Sequence, residues 1–96
     1  MPVYVVIDVT VKNQEKLKEY VAGHLPTIER YGGKILCRGF DPAVVTGDWA
    51  PKLLVIHEWP DRGQFQAWYD SDEYRPWKMM REDACDMNMV LMEGDS

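Results

Sequence analysis

Residues Val3 to Val11 (VYVVIDVTV) are apolar on both sides of an extended chain, with Val3, Val5, Ile7 and Val9 on one face and Tyr4, Val6, Asp8 and Thr10 on the other. That density of β-branched side chains predicts a central strand covered on both faces. The period then changes. Leu17, Tyr20, Val21, His24, Leu25, Ile28 and Tyr31 recur at three- and four-residue steps, one stripe of a helix that starts after the N-cap Asn13. Pro26 removes one backbone hydrogen bond and should kink this helix near Ala22–Gly23. Gly32-Gly33 ends it near Tyr31, because glycine takes the left-handed C′ conformation cheaply.

A second strand is expected over Lys34–Gly39, and FDPAVVTGDWAP reads as a punctuated connection with a short extended piece at Ala43–Thr46. Lys52–Trp59 is a third strand, apolar on both faces until His57 and Glu58. Asp61 with Gln64 has capping-box spacing and opens a second helix carrying Phe65, Trp68 and Tyr69. DSD at 70–72 interrupts that helix. Ser71 or Asp72 caps a fresh turn, and Pro76 sits early in a segment ending near Cys85. Met87–Met92 is the last strand and EGDS a tail.

The order β-α-β-β-α-β is the α+β, ferredoxin-like arrangement: a four-stranded antiparallel sheet with two helices on one face. Strands one and three are expected side by side and parallel, with both helix N-termini at one sheet end. Asp8 and His57 or Glu58 would then gather there. Two helices cover only one face, so the apolar residues on the other would form a patch of several hundred Å² that monomers rarely expose. A second copy packed sheet to sheet covers it, so a homodimer is expected.

Ninety-six residues make a single domain, 1–96, with 46% hydrophobic and 28% charged residues. Sixteen acidic against eleven basic residues give a net charge of −5 with no Lys/Arg cluster, which argues against nucleic acid. The apolar N-terminus is too short to span a bilayer and lacks signal-peptide features, so a cytoplasmic protein with no membrane association is expected. Cys37 and Cys85 have no CxxC spacing and read as free, largely buried thiols. The two histidines lack HxH or HExxH spacing and the methionines alternate as strand residues do, so no metal and no cofactor is expected. No Walker, GxGxxG or GxSxG motif occurs.

Chemistry must come from a few polar residues in apolar settings. His57 and Glu58 point to opposite strand faces. His24 lies on the buried helical stripe beside Pro26, where a freed carbonyl and a kink open space for a base. In AWYDSDEYRPWKMMRED, Tyr74, Trp77 and Arg81 share one helical stripe, so Arg81 could clamp a carboxylate while the rings hold a planar guest. Arg38 has a similar reading. The break at Ser71 should send Trp68/Tyr69 and Tyr74/Trp77 in different directions, one pair closing the core and the other walling a pocket or interface.

VYVV, RYGGKILCRG, TGDWAP, LLVIHEWP and AWYDSDEYRPWKMMRED resemble, in order and over nearly the whole chain, a bacterial domain-of-unknown-function family numbered thirteen-thirty. That family sits in the dimeric α+β-barrel superfamily. The resemblance implies a dimeric barrel with ligands between helices and sheet, and it singles out Glu58 as a typical family residue. Superfamily members include cofactor-independent monooxygenases, isomerases, dechlorinating and decarboxylating enzymes and haem-binding proteins, so fold alone selects no reaction. The expected function is a small-molecule-binding dimer whose catalytic form is a cofactor-independent enzyme for a planar or carboxylated metabolite. Tyr4, His24, Glu58, Trp68, Tyr74, Trp77 and Arg81 line the expected site, with Glu58 or His24 as base and Arg81 as anion clamp. The alternative is a non-catalytic dimerisation or regulatory module whose aromatic run contacts a partner chain.

Overall fold

The computed structural model describes residues 1–94. β1 (Val3–Val11) is central, as its two apolar faces require. It pairs antiparallel with β3 (Leu53–Trp59) and with β4 (Cys85–Glu93). β2 (Lys34–Phe40) adds to the outer edge of β3, giving the order β2-β3-β1-β4. α1 (Gln14–Arg30), α2 (Arg62–Tyr69) and α3 (Arg75–Ala84) complete the ferredoxin-like arrangement, with the expected second helix broken in two. No strand forms at Ala43–Thr46; the connection from 41 to 52 is irregular. Of the expected tail, Glu93 ends β4 and Gly94 donates its N–H to the Pro2 carbonyl, while Asp95 and Ser96 lie outside the described residues.

The expectation that β1 and β3 run parallel is overturned. The α1 crossover makes β1 and β2 parallel; β3 runs antiparallel to β2 and is inserted between them, so it opposes β1. Tyr4 therefore faces Glu58 while Asp8 faces Leu54, and Asp8 and Glu58 lie towards opposite sheet ends. The α1 and α2 N-termini, which follow β1 and β3, are likewise at opposite ends.

Local chemistry explains the helix limits. The Asn13 side chain accepts from Lys16 N–H at 3.0 Å, and Asp61 accepts from Gln64 N–H at 2.8 Å. At the end of α1, Gly32 has φ +92°, its N–H donates to Glu29 O and Gly33 N–H donates to Ile28 O, the two bonds of a Schellman motif. α1 runs unbroken through Pro26, which has no N–H to give the carbonyl of Ala22.

The faces of the sheet differ. Val3, Val5, Ile7, Val9, Leu53, His57 and Trp59 are buried beneath the helices. On the other face, Cys37, Ile56, Val6 and Val90 form a row across all four strands. Val6 and Ile56 are half-buried, and Val90 and Cys37 are exposed. Cys37 thus departs from the expected buried thiol because it sits on the uncovered face of an edge strand. Cys85, at the start of β4, is buried.

The break in the α2–α3 segment draws its rings together instead of apart. Ser71 Oγ donates to Trp68 O at 2.7 Å and accepts from Tyr74 N–H at 3.1 Å, and the Trp68 and Tyr74 rings stack at 4.0 Å. Trp77 instead lies against Gly23 of α1, where a Cβ would fall inside the indole envelope. A Cβ on Gly33 would lie 2.7 Å from the ring of Trp59, which is fully buried and cannot yield. Gly23→Ala, which in an exposed helix would stabilise by about 0.5–1 kcal/mol, should here destabilise by about 1–3 kcal/mol, as overpacking does. Gly33→Ala should cost at least as much. Urea midpoints of the two variants check both signs.

Candidate functional site

The space between α1 and the sheet is filled unevenly. Towards the Trp59 end, Trp59 and Trp68 approach to 5.2 Å between centroids and Phe65 meets Trp59 edge-on at 5.7 Å. Towards the other end the sheet presents Ile7, Val9, Leu53 and Val55, and a cavity of about 570 Å³ remains under α1. Small-molecule sites commonly span about 300–1,000 Å³. Its wall is mainly aliphatic. The polar members are Tyr20 and His24 from α1 and His57 from β3, with the exposed Lys18 and Arg38.

Strand alternation places the imidazole of His57 beneath the helices, between Val55 and Trp59. It is 1% exposed, meets Trp68 edge-on at 6.0 Å, and its Nδ1 has no hydrogen-bond partner among the described residues. Burial, reinforced by the nearby His24, pushes its pKa down to about 4, so the ring is neutral at neutral pH. His24 lies one turn beyond Tyr20, and their rings stack at 4.1 Å and 15°. Its Nδ1 is 2.9 Å from the Tyr20 carbonyl, which can only accept, so Nδ1 carries the proton and Nε2 the lone pair. Burial lowers the His24 pKa; hydrogen bonds to backbone carbonyls oppose this, and the charges of Arg38 and Arg81 add to it.

A family model described as "Domain of unknown function (DUF1330)" matches residues 2–95. The chain belongs to this family. No curated protein matches it. Among solved structures the DUF1330 chain is similar to RPA0582, a protein of unknown function from Rhodopseudomonas palustris, with TM-score 0.85 and 20% identity over 99% of this chain and 83% of that one. SnoaB, a cofactor-independent oxygenase from Streptomyces nogalater, superposes with TM-score 0.73 and 14% identity over 99% and 94% of the two chains. A dimeric ferredoxin-like protein of unknown function from Jannaschia sp. CCS1 gives TM-score 0.79 and 10% identity over 98% and 100%. At these identities the likeness is one of fold.

Of the seven site residues expected in this DUF1330 chain, the cavity wall includes His24 alone. Glu58 and Tyr4 face each other on the uncovered sheet face, and Lys34 Nζ lies 3.1 Å from Glu58. Hydrogen bonds from Lys34 and Tyr4 hold the Glu58 carboxyl below its usual range. Trp68 and Tyr74 are fully buried core. Trp77 packs on α1 at Gly23. Arg81 is engaged internally, with Nη1 donating to Tyr74 Oη at 2.9 Å and Nη2 to Tyr69 Oη at 3.3 Å, and it is not on the cavity wall. Tyr74 Oη is in turn 2.7 Å from Tyr20 Oη.

Arg38 is on the cavity wall because of a bulge. The β2–β3 register shifts between Ile35 and Cys37, so Ile35 faces His57, Cys37 faces Ile56 and Arg38 faces Val55. The extra residue inverts the parity of β2 and turns Arg38 to the helical side. Sequence reading passed over Tyr20 and Lys18 as ordinary members of the first helix. For Tyr20, its four-residue spacing from His24 was the available signal.

The unfolded chain takes up a proton on His57 below its ordinary value near 6.5, whereas the folded chain resists doing so until about 4. The stability contributed is therefore complete above the higher value and is lost as pH falls through this window, by about 3 kcal/mol in full. His24 adds in the same direction. Urea unfolding at about pH 7 and about pH 4.5 should show this loss in the wild type and a clearly smaller one in His57→Leu.

Proposed function

We propose that the cavity between α1 and the sheet binds a planar metabolite bearing an anionic group such as a carboxylate. In the catalytic form of this reading, the chain is a cofactor-independent enzyme with His24 Nε2 as the general base. The observation that carries it is an apolar cavity of about 570 Å³ whose few polar lining residues include two histidines, His24 and His57. The aliphatic wall suits a ring, and Lys18 and Arg38 supply positive charge to a guest in an otherwise acidic protein. His24 replaces Glu58 as the preferred base, since Glu58 is neutralised by Lys34 on the opposite sheet face. The cofactor-independent oxygenase among the fold neighbours agrees with an enzyme of this kind.

The functional unit of this reading is a homodimer. The row Cys37, Ile56, Val6 and Val90 is the face a second copy would cover, and a neighbour of this fold is described as dimeric. A cytoplasmic setting fits two free cysteines, and no helix among the described residues is long and apolar enough to cross a membrane. The alternative reading, a regulatory module whose aromatic run contacts a partner, loses much of its contact surface because Trp68 and Tyr74 are buried.

A panel of aromatic carboxylic acids is the test. At one hundred times its dissociation constant a ligand adds about 2.7 kcal/mol, which in a chain of this size is a rise of roughly 10–20 °C in Tm. Leu25→Trp, which fills the cavity, should abolish the rise while leaving the protein folded. A panel that shifts the wild type and the filled variant equally, or neither, defeats the reading.

The dimer has its own check. Val6→Glu places a charge at the centre of the uncovered face, so light scattering should report a dimer for the wild type and a monomer for the variant.

A further inference from the structure

The hydroxyl chain beside the cavity has a direction. A guanidinium only donates, so Arg81 Nη1–H occupies a lone pair of the Tyr74 oxygen. Tyr74 is fully buried, and the one other partner of its hydroxyl among the described residues is Tyr20 Oη at 2.7 Å. If Tyr20 donated to Tyr74, the proton of Tyr74 would be left unpaired in the interior. Tyr74 must instead donate to Tyr20, so that each hydroxyl passes its proton away from the cation and the chain is polarised in one sense. Tyr20 then has a proton with no partner among the described residues. Unlike Tyr74, Tyr20 borders the cavity, with its ring stacked on His24.

We infer that the Tyr20 hydroxyl is a ligand-contacting donor for an oxyanion of the guest, polarised through Tyr74 by Arg81, and that the site takes ring compounds whose phenol or enol oxygen is bound ionised. This rests on the proposed use of the cavity and narrows its guest. The proton lost by the guest goes to Nε2 of His24, and the negative oxygen left behind is met by the Tyr20 O–H. No further reactant is required. Tyr74 and Arg81 are positioning residues: they act through Tyr20 and do not touch the guest. The run of rings and the arginine stripe visible in the sequence thus serve the site from behind its wall.

The test uses 4-nitrophenol, whose phenol and phenolate differ in colour, and 4-nitrotoluene, a neutral compound of similar shape. Both are measured in an Arg38→Gln background, so that the charge of Arg38 does not favour the anion. The parent should bind the phenolate in preference to the toluene. Tyr20→Phe should cut that preference roughly ten- to a hundredfold, as loss of a hydrogen bond to a charged group does, with toluene affinity unchanged. Tyr74→Phe and Arg81→Lys should each reduce the preference by less, again without changing toluene binding, which a merely structural role would not produce. If Tyr20→Phe does not fold, Tyr74→Phe decides. An undiminished phenolate preference in the decisive variant, or none in the parent while the toluene still binds, overturns the inference and leaves the binding cavity standing. Failure of both compounds to bind the parent overturns this inference, and the cavity reading falls with it only if the aromatic carboxylic acids also fail to stabilise the wild type.

Discussion

The spacing between α1 and the sheet is set at one end by indole and phenol rings. Trp68 stacks on Tyr74, packs against Trp59, and donates its Nε1–H to Thr27 Oγ1 at 2.9 Å. Thr27 passes the contact on, donating to the carbonyl of His24 at 2.6 Å. Rings of this size hold a helix well away from a sheet, and α1 is too rigid to follow the surface down where the rings stop. Beyond them the sheet presents Ile7, Val9, Leu53 and Val55, which do not fill the gap. The cavity is therefore a consequence of ring packing at the opposite end. Glycine at 23 and 33 is required by the same rings, since Trp77 and Trp59 occupy the places of their missing Cβ atoms.

Within that cavity the protein keeps its imidazoles uncharged by removing water, and keeps its positive charge on the more exposed Lys18 and Arg38. His24 is further restricted by the carbonyl of Tyr20, which assigns the proton to Nδ1 and leaves Nε2 basic. A neutral nitrogen base, an arginine and a polarised hydroxyl then border one apolar volume. Such a set can accept a proton and stabilise the resulting negative charge without a metal or an organic cofactor.

Most of the fold was legible from periodicity. The two-sided apolar character of Val3–Val11 marked the central strand, the three- and four-residue stripe marked α1, and Asn13, Asp61 and Gly32 marked helix ends that the hydrogen bonds reproduce. Strand direction was misread because adjacency alone says nothing of sense; the crossover that places β3 between two parallel strands had to be followed through. The site was less legible. His24, singled out as a polar residue on a buried helical stripe, borders the cavity, whereas Glu58, singled out by family likeness, lies on the opposite sheet face. Trp68 and Tyr74 were placed beside a guest by composition, but rings that share a serine-bridged helix break stack on each other first.

Arg38 shows why alternation cannot be carried through an edge strand unexamined. In an unbroken β2, Ile35, Cys37 and Gly39 would face the helices and Arg38 would join the uncovered face. The additional residue between Ile35 and Cys37 reverses this for the rest of the strand, sending Cys37 outward and Arg38 and Phe40 towards the cavity. Such a bulge sacrifices regular pairing and survives where the redirected side chain offsets that loss. Here the redirected group is a cation brought to an apolar cavity that already contains two neutral imidazoles, where it has more effect on a guest than a charge on the outer face. No periodicity rule anticipates that placement, because the signal lies in the partner strand: only when β3 supplies one residue against two of β2 does the parity change.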